Sequence, residues 1–135
     1  MKRKPIPKAT RQMLWDKYNH RCAYCGSPIE LKDMQLDHIV PFGQAIYGGK
    51  YKDIVDKMVA DGSINATDNL MPACRSCNFY KGIDDLETFR NSLLNILDRT
   101  CRDSFQVKLA MKYGMLSYHQ WDGVFYFETL KQQDK

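Results

Sequence analysis

The N-terminal half of the chain has short apolar patterns that predict two helices and a strand. Thr10 is suited to cap a first helix that ends near Asn19. Apolar and polar residues alternate over 34–40, MQLDHIV, which predicts a strand. The apolar positions of 51–62 have helical spacing, and Gly62 can form the C-cap of that helix.

The C-terminal half is dominated by helical patterns. Pro72 suits the first turn of a helix that extends to about Lys81. Apolar stripes predict further helices over 86–97 and about 103–113. The aromatic segment 124–128, VFYFE, predicts a final strand that packs onto the core. Because no repeat or linker marks a second domain, the pattern favours one small domain with both helices and strands.

Length and composition fit this expectation. The chain has 135 residues, of which 44% are hydrophobic and 27% charged, and this is enough for one modest core. No apolar run approaches the roughly 20 residues that a membrane span needs, and nothing resembles a secretory signal. We therefore expect a cytoplasmic protein with no membrane partner. In that compartment, paired cysteines bind metal more often than they form disulfides.

Positive charge is concentrated at the N-terminus. The net charge is +4, and the first eleven residues contain five basic side chains and no acid, namely Lys2, Arg3, Lys4, Lys8 and Arg11. Residues 1–12 are therefore predicted to form a basic arm that can contact a phosphate backbone, with residues 13–135 forming a single domain. A solvated tail explains the charge equally well.

Two Cys-x-x-Cys pairs are separated by 48 residues, Cys22 with Cys25 and Cys74 with Cys77. Four thiolates in two such pairs match a tetrahedral structural zinc site. The gap is longer than in a compact zinc ribbon, so zinc would close the intervening residues into a loop. A redox dithiol is the weaker alternative, because each pair would then need a separate explanation.

A histidine and an aspartate lie inside that loop, within Asp37-His38-Ile39-Val40-Pro41. A lone strand histidine is more often structural than catalytic, but an Asp-His pair in this setting favours chemistry. Histidine titrates near neutrality and can accept a proton from water, and aspartate can bind a hard cation.

Three further polar residues accompany this pair. Asn69 is most simply a turn or cap residue, and its alternative role is to hold the imidazole. Asn78 and Lys81 have the spacing that places them on one helical face with Cys74 and Cys77. The Asn78 amide oxygen and the Asp37 carboxylate are hard ligands, which suit Mg²⁺ or Mn²⁺.

In their order and spacing, these motifs resemble the HNH endonuclease family in its four-cysteine, zinc-containing branch. The motifs are Cys22-x2-Cys25, Asp37-His38-Ile39-Val40-Pro41, Asp68-Asn69-Leu70 and Cys74-x2-Cys77-Asn78-x2-Lys81-Gly82. The resemblance covers residues 20–82 and implies an α+β fold with a ββα-metal core, a structural zinc site and flanking helices. Residues 83–135 would then form a helical extension with the final strand.

The resemblance also implies an activity, the metal-dependent hydrolysis of phosphodiester bonds in DNA, with double-stranded DNA as the expected partner. His38 would be the general base and Asn69 would orient it. Asp37 and Asn78 would hold Mg²⁺ or Mn²⁺, and Lys81 would contact phosphate. Small relatives of this kind serve phages, mobile elements or restriction, and protein partners are unknown.

Two departures from the family and two alternatives remain. Asn78 stands where the family often has histidine, which argues against a soft catalytic metal. The segment 43–67 is longer than in many relatives, and it is either a DNA-contacting insertion or a packing elaboration. The chain could instead be a non-catalytic zinc module that binds nucleic acid, or a degenerate HNH domain.

Overall fold

The computed structural model describes residues 4–43 and 50–133, and these form two compact units. One unit comprises the described residues up to Leu86 together with those from Phe125 onward, and the other runs from Glu87 to Val124. The helices and a two-stranded antiparallel sheet confirm the predicted α+β class. None of the described helices is both long enough and apolar enough to cross a bilayer.

The first unit contains the sheet and the helices around it. Its strands are β1 Gln35–His38 and β2 Leu70–Ala73, and its α-helices are α1 Lys8–Lys17, α2 Lys52–Asp61, α3 Arg75–Lys81 and α7 Tyr126–Gln133. Short 3-10 turns occupy Leu31–Asp33, Ser63–Asn65 and Thr67–Asn69. The core includes Leu14, Tyr24, Met34, Leu70 and Phe125, each less than one tenth exposed.

Strand pairing places Asp37 and His38 beside β2, the strand that leads to the second cysteine pair. Asp37 faces Met71 and His38 faces Leu70 across the antiparallel register. Every residue of β2 is buried, and α3 follows β2 after a single residue, Cys74. A short strand, its partner and the next helix thus form one continuous ββα unit.

The second unit is built from the helices α4 Leu86–Leu94, α5 Ile96–Asp103 and α6 Phe105–Lys112. Between α4 and α5, the helix predicted over 86–97 is interrupted at Asn95. The next helix, α6, lies where the sequence predicted one. Its first turn is capped by the Ser104 hydroxyl, which accepts from the Val107 amide at 3.2 Å.

Two predicted helix starts are wrong. The first helix begins at Lys8, directly after Pro7, so Thr10 lies inside it and does not cap it. Lys8 and Arg11 of the predicted arm therefore belong to a helix, whereas Lys2 and Arg3 lie outside the described residues. Pro72 is a strand residue, and its carbonyl accepts from the Ala23 amide at 2.8 Å.

The predicted final strand is also wrong, because 126–133 forms the helix α7. The Glu128 carboxylate accepts from the Phe125 amide at 3.0 Å, and a glutamate three residues after the cap is a helix-start signal. The aromatic residues do pack, as predicted, since Phe125 and Phe127 are buried. They contact the Tyr24 ring at its edge.

The segment between the two strands has a small apolar cluster of its own. Phe42, Val55 and Ile64 are buried together, with Val40 and Met58 packed against them. The predicted helix over 51–62 is confirmed as α2, which ends at Gly62 in the left-handed conformation. Residues 44–49 of this segment lie outside the described part of the chain.

Candidate functional site

The four predicted cysteines lie together. The sulfur atoms of Cys22, Cys25, Cys74 and Cys77 are all within 4.8 Å of one another, and those of Cys25 and Cys74 are 3.9 Å apart. Four thiolates around a tetrahedral zinc ion, at about 2.3 Å each, would lie about 3.8 Å apart. The observed cluster therefore fits zinc.

Local backbone geometry forms both turns that present the sulfur atoms. In the first turn, the Gly26 amide donates to the Cys22 carbonyl at 2.9 Å, and Gly26 has φ +78°. A side chain there would be strained, and its Cβ would lie 3.4 Å from the Tyr126 ring. In the second turn, Cys74 is the N-cap of α3, and its sulfur accepts from the Cys77 amide at 3.5 Å.

The acidity of these thiols is unevenly distributed. A hydrogen bond from Cys77 lowers the pKa of Cys22 to about 5. The same interaction raises the pKa of Cys77, and burial raises that of Cys74. Four thiolates this close together repel one another, so a cation would be needed to stabilise them.

Asp37 is held inside the first unit by two side chains. Tyr24, which lies between the first two cysteines, donates its hydroxyl to Asp37 Oδ2 at 2.5 Å. Burial and the Asp37 charge raise the pKa of Tyr24, so this hydroxyl remains a donor. The Lys81 ammonium lies 3.1 Å from the same carboxylate oxygen.

Lys81 occupies a different environment from the one that the sequence predicted. Its side chain is fully buried, and besides pairing with Asp37 it donates to the His38 carbonyl at 3.1 Å. Both of these contacts of the ammonium lie inside the protein and form an internal ion pair beneath β1. The phosphate contact of Lys81 stays a prediction.

Asn69 is buried, but its side chain does not take the predicted position against the imidazole. Its oxygen accepts from the Val40 amide at 2.8 Å, and its nitrogen donates to the Ile64 carbonyl at 2.8 Å. Its own carbonyl accepts from the Ile39 amide at 2.9 Å. Asn69 thus fixes the backbone that directly follows His38.

A different amide contacts the imidazole. His38 is 8% exposed at the end of β1, and its Nε2 lies 2.9 Å from Oδ1 of Asn65. No sequence pattern singles out Asn65, because an asparagine between Ile64 and Ala66 has the context of an ordinary turn. Only the fold brings it to the histidine.

His38 and Asn78 line one cavity of about 480 Å³. The Asn78 side chain donates from Nδ2 to Gln35 Oε1 at 3.1 Å, which directs its oxygen away from that residue. Lys4 and Arg11 also line the cavity, so its surroundings are positively charged. The Asp37 carboxylate does not line it and is 6% exposed. The structure thus brings Asn78 and His38 together, with Asp37 buried in the adjoining ion pair.

These features define the class of protein as a small ββα domain with a four-cysteine cluster that fits zinc. Residues 22–82, just under half of the chain, match the sequence model of the HNH endonuclease family. The matched segment begins at the first cysteine of the four-cysteine cluster and ends directly after Lys81.

Two known proteins contain a segment that is similar to part of this chain. The chain is 35% identical over 80 residues to the CRISPR-associated endonuclease Cas9 of Corynebacterium diphtheriae, and the match covers 56% of this chain and 6% of that protein. It is 37% identical over 78 residues to a predicted HNH endonuclease derived from the SPbeta prophage of Bacillus subtilis, with coverages of 57% and 30%. The chain therefore spans less than a third of either relative.

Proposed function

We propose that this chain is a metal-dependent endonuclease that hydrolyses phosphodiester bonds in double-stranded DNA. The observation that carries the proposal is the cavity in which His38 and Asn78 face the same space beside two cationic side chains. A histidine, a hard oxygen ligand and nearby positive charge are what hydrolysis of a polyanion requires.

The chain's own residues have separate tasks in this proposal. His38 accepts a proton from the attacking water, a contribution typically worth about 10²–10⁴-fold in rate. Asp37 and Asn78 would hold Mg²⁺ or Mn²⁺ through oxygen atoms; for Asp37 this atom would be Oδ1, because Oδ2 bonds to Tyr24 and Lys81. When bound, the cation stabilises negative charge on the phosphate and on the departing 3′ oxygen.

The remaining two tasks follow from the contacts of Asn69 and Lys81. Asn69 holds the chain after β1 through Val40, so it acts on the position of His38 without touching its ring. Lys81 holds Asp37 in place. We assign the phosphate contacts to Lys4 and Arg11, because these are the cations that line the cavity.

Nicking of supercoiled plasmid tests the proposal. The wild-type chain should nick plasmid with Mg²⁺ or Mn²⁺ and not with EDTA. His38→Ala should lose at least about 10²-fold in rate while keeping its zinc content and far-UV circular dichroism.

The matched control is His119→Ala, since His119 is exposed in the other unit. This variant should nick at the wild-type rate. Full activity in His38→Ala would overturn the assignment of the base. Retarded DNA migration without nicking by the wild-type chain would instead favour a non-catalytic binding module.

A further inference from the structure

The segment between the two strands supplies a side chain to the histidine. We propose that Asn65 is a positioning residue, which accepts a hydrogen bond from Nε2 of His38 and thereby fixes the orientation and the proton position of the imidazole. The consequence for cleavage rests on the proposed function, whereas the contact itself can be tested without it.

The direction of the Asn65 amide follows from its second contact. Its nitrogen Nδ2 donates to the carbonyl of Lys4 at 3.4 Å, and this directs Oδ1 to the imidazole, 2.9 Å away. An amide oxygen can only accept, so Nε2 of His38 must carry the proton. In a neutral imidazole, the lone pair then lies on Nδ1.

The fold holds Asn65 firmly enough for this task. It ends the 3-10 turn Ser63–Asn65, directly after α2. The preceding residue, Ile64, is buried in the cluster with Phe42 and Val55. The backbone of Ile64 is held as well, because its carbonyl accepts from the Asn69 side chain.

The same elements also hold the other end of the contact. Val40, two residues after His38, packs on the cluster that contains Ile64 and bonds to Asn69 through its amide. One apolar cluster and one buried asparagine therefore set the distance between His38 and Asn65. This assigns a task to the described part of the segment 43–67, which is to orient the histidine, and it differs from both DNA contact and packing alone.

Nitrogen NMR of histidine-labelled protein tests the contact. The chain has three histidines, and the His38 signals are identified by their loss in His38→Gln. Long-range proton–nitrogen spectra at alkaline pH, where the rings are neutral, should show His38 protonated at Nε2. Asn65→Asp, which keeps an acceptor oxygen, should preserve this form. Asn65→Leu, which has similar size and no acceptor, should lose the preference.

Cleavage kinetics test the consequence. Asn65→Leu should lower kcat by about 10- to 100-fold, the usual cost of removing a side chain that orients a functional histidine, with KM for DNA little changed. Asn65→Asp should be faster than Asn65→Leu. Asn91→Leu, at an exposed asparagine in the other unit, is the control and should match the wild type in both measurements.

The outcomes separate this inference from the proposed function. An unchanged His38 proton position in a folded Asn65→Leu variant, judged by zinc content and circular dichroism, would overturn the contact. A changed proton position with wild-type kcat would overturn the positioning role. If the wild-type chain cleaves no DNA, the proposed function fails, and the nitrogen spectra still decide whether Asn65 holds the imidazole.

Discussion

At the residue scale, Lys81 shows how burial changes the role of a charged side chain. From its spacing after Cys77, the sequence placed Lys81 correctly on α3 and predicted a phosphate contact for it. Its burial depends on how α3 packs under β1, which no local pattern encodes. The ammonium therefore compensates the Asp37 charge inside the protein, and it does not face solvent.

This internal pair leads to a stability prediction. Lys81→Met should lower the free energy of unfolding by about 3–5 kcal/mol, because it leaves the Asp37 carboxylate buried without its cation. Denaturant titration measures the loss. Lys57→Met, at an exposed position on α2, should change stability by less than about 0.5 kcal/mol.

A double variant separates the lost charge from lost packing. Asp37→Leu combined with Lys81→Met removes both charges, and it should recover part of the stability because no uncompensated charge remains. Equal stability of Lys81→Met and the wild type would contradict the ion pair.

At the element scale, the sequence was most informative where one local signal specifies structure. Gly62 marked the end of α2 correctly, and two Cys-x-x-Cys turns marked the metal cluster. The strand predicted over 124–128 is wrong because aromatic residues are common in strands, whereas Glu128 caps the start of a helix. The helix start predicted at Pro72 is wrong because proline, which favours a first helical turn, also fits this buried strand.

The first turn of α3 is the part of the structure that a zinc ion in the four-cysteine cluster would stabilise most directly. Cys74 caps this helix and Cys77 lies in its first turn, so a zinc ion would join α3 to the turn of Cys22 and Cys25. Cys77→Ala should reduce bound zinc from about one ion per chain to near none and should lower Tm. Elemental analysis and thermal unfolding measure the two effects.

Cys101 provides the control for that prediction. It lies outside the four-cysteine cluster, so Cys101→Ala should keep its zinc content. Equal zinc content in the two variants would show that the cluster is not the metal site.

At the scale of the whole molecule, the sequence predicts only part of the candidate site. The motif residues were identified by order and spacing, and the four cysteines come together as predicted. The partners of those residues were not, since Tyr24, Asn65 and Lys4 come from separate parts of the chain. Their proximity is produced by the sheet register and the apolar cluster, which are properties of the fold.

The charge around the cavity predicts how DNA binding responds to salt. If Lys4 contacts a phosphate, Lys4→Ala should reduce the slope of log affinity against log salt by about 1. The affinity would be measured in the His38→Ala background without added Mg²⁺ or Mn²⁺, which prevents cleavage and leaves bound zinc in place. Lys112→Ala removes the same charge from the other unit and should leave the slope unchanged. Equal slopes for the two variants would contradict the contact.

Tyr24 links the four-cysteine cluster to the carboxylate that we propose holds a second metal. It lies between two zinc-site cysteines, and its hydroxyl bonds to the carboxylate proposed to hold the second metal. In the proposed function, a chelator that extracts zinc would remove one of the two side chains that hold this carboxylate, leaving Lys81 as the other. A need for zinc as well as Mg²⁺ in reactivation would then reflect architecture and not chemistry.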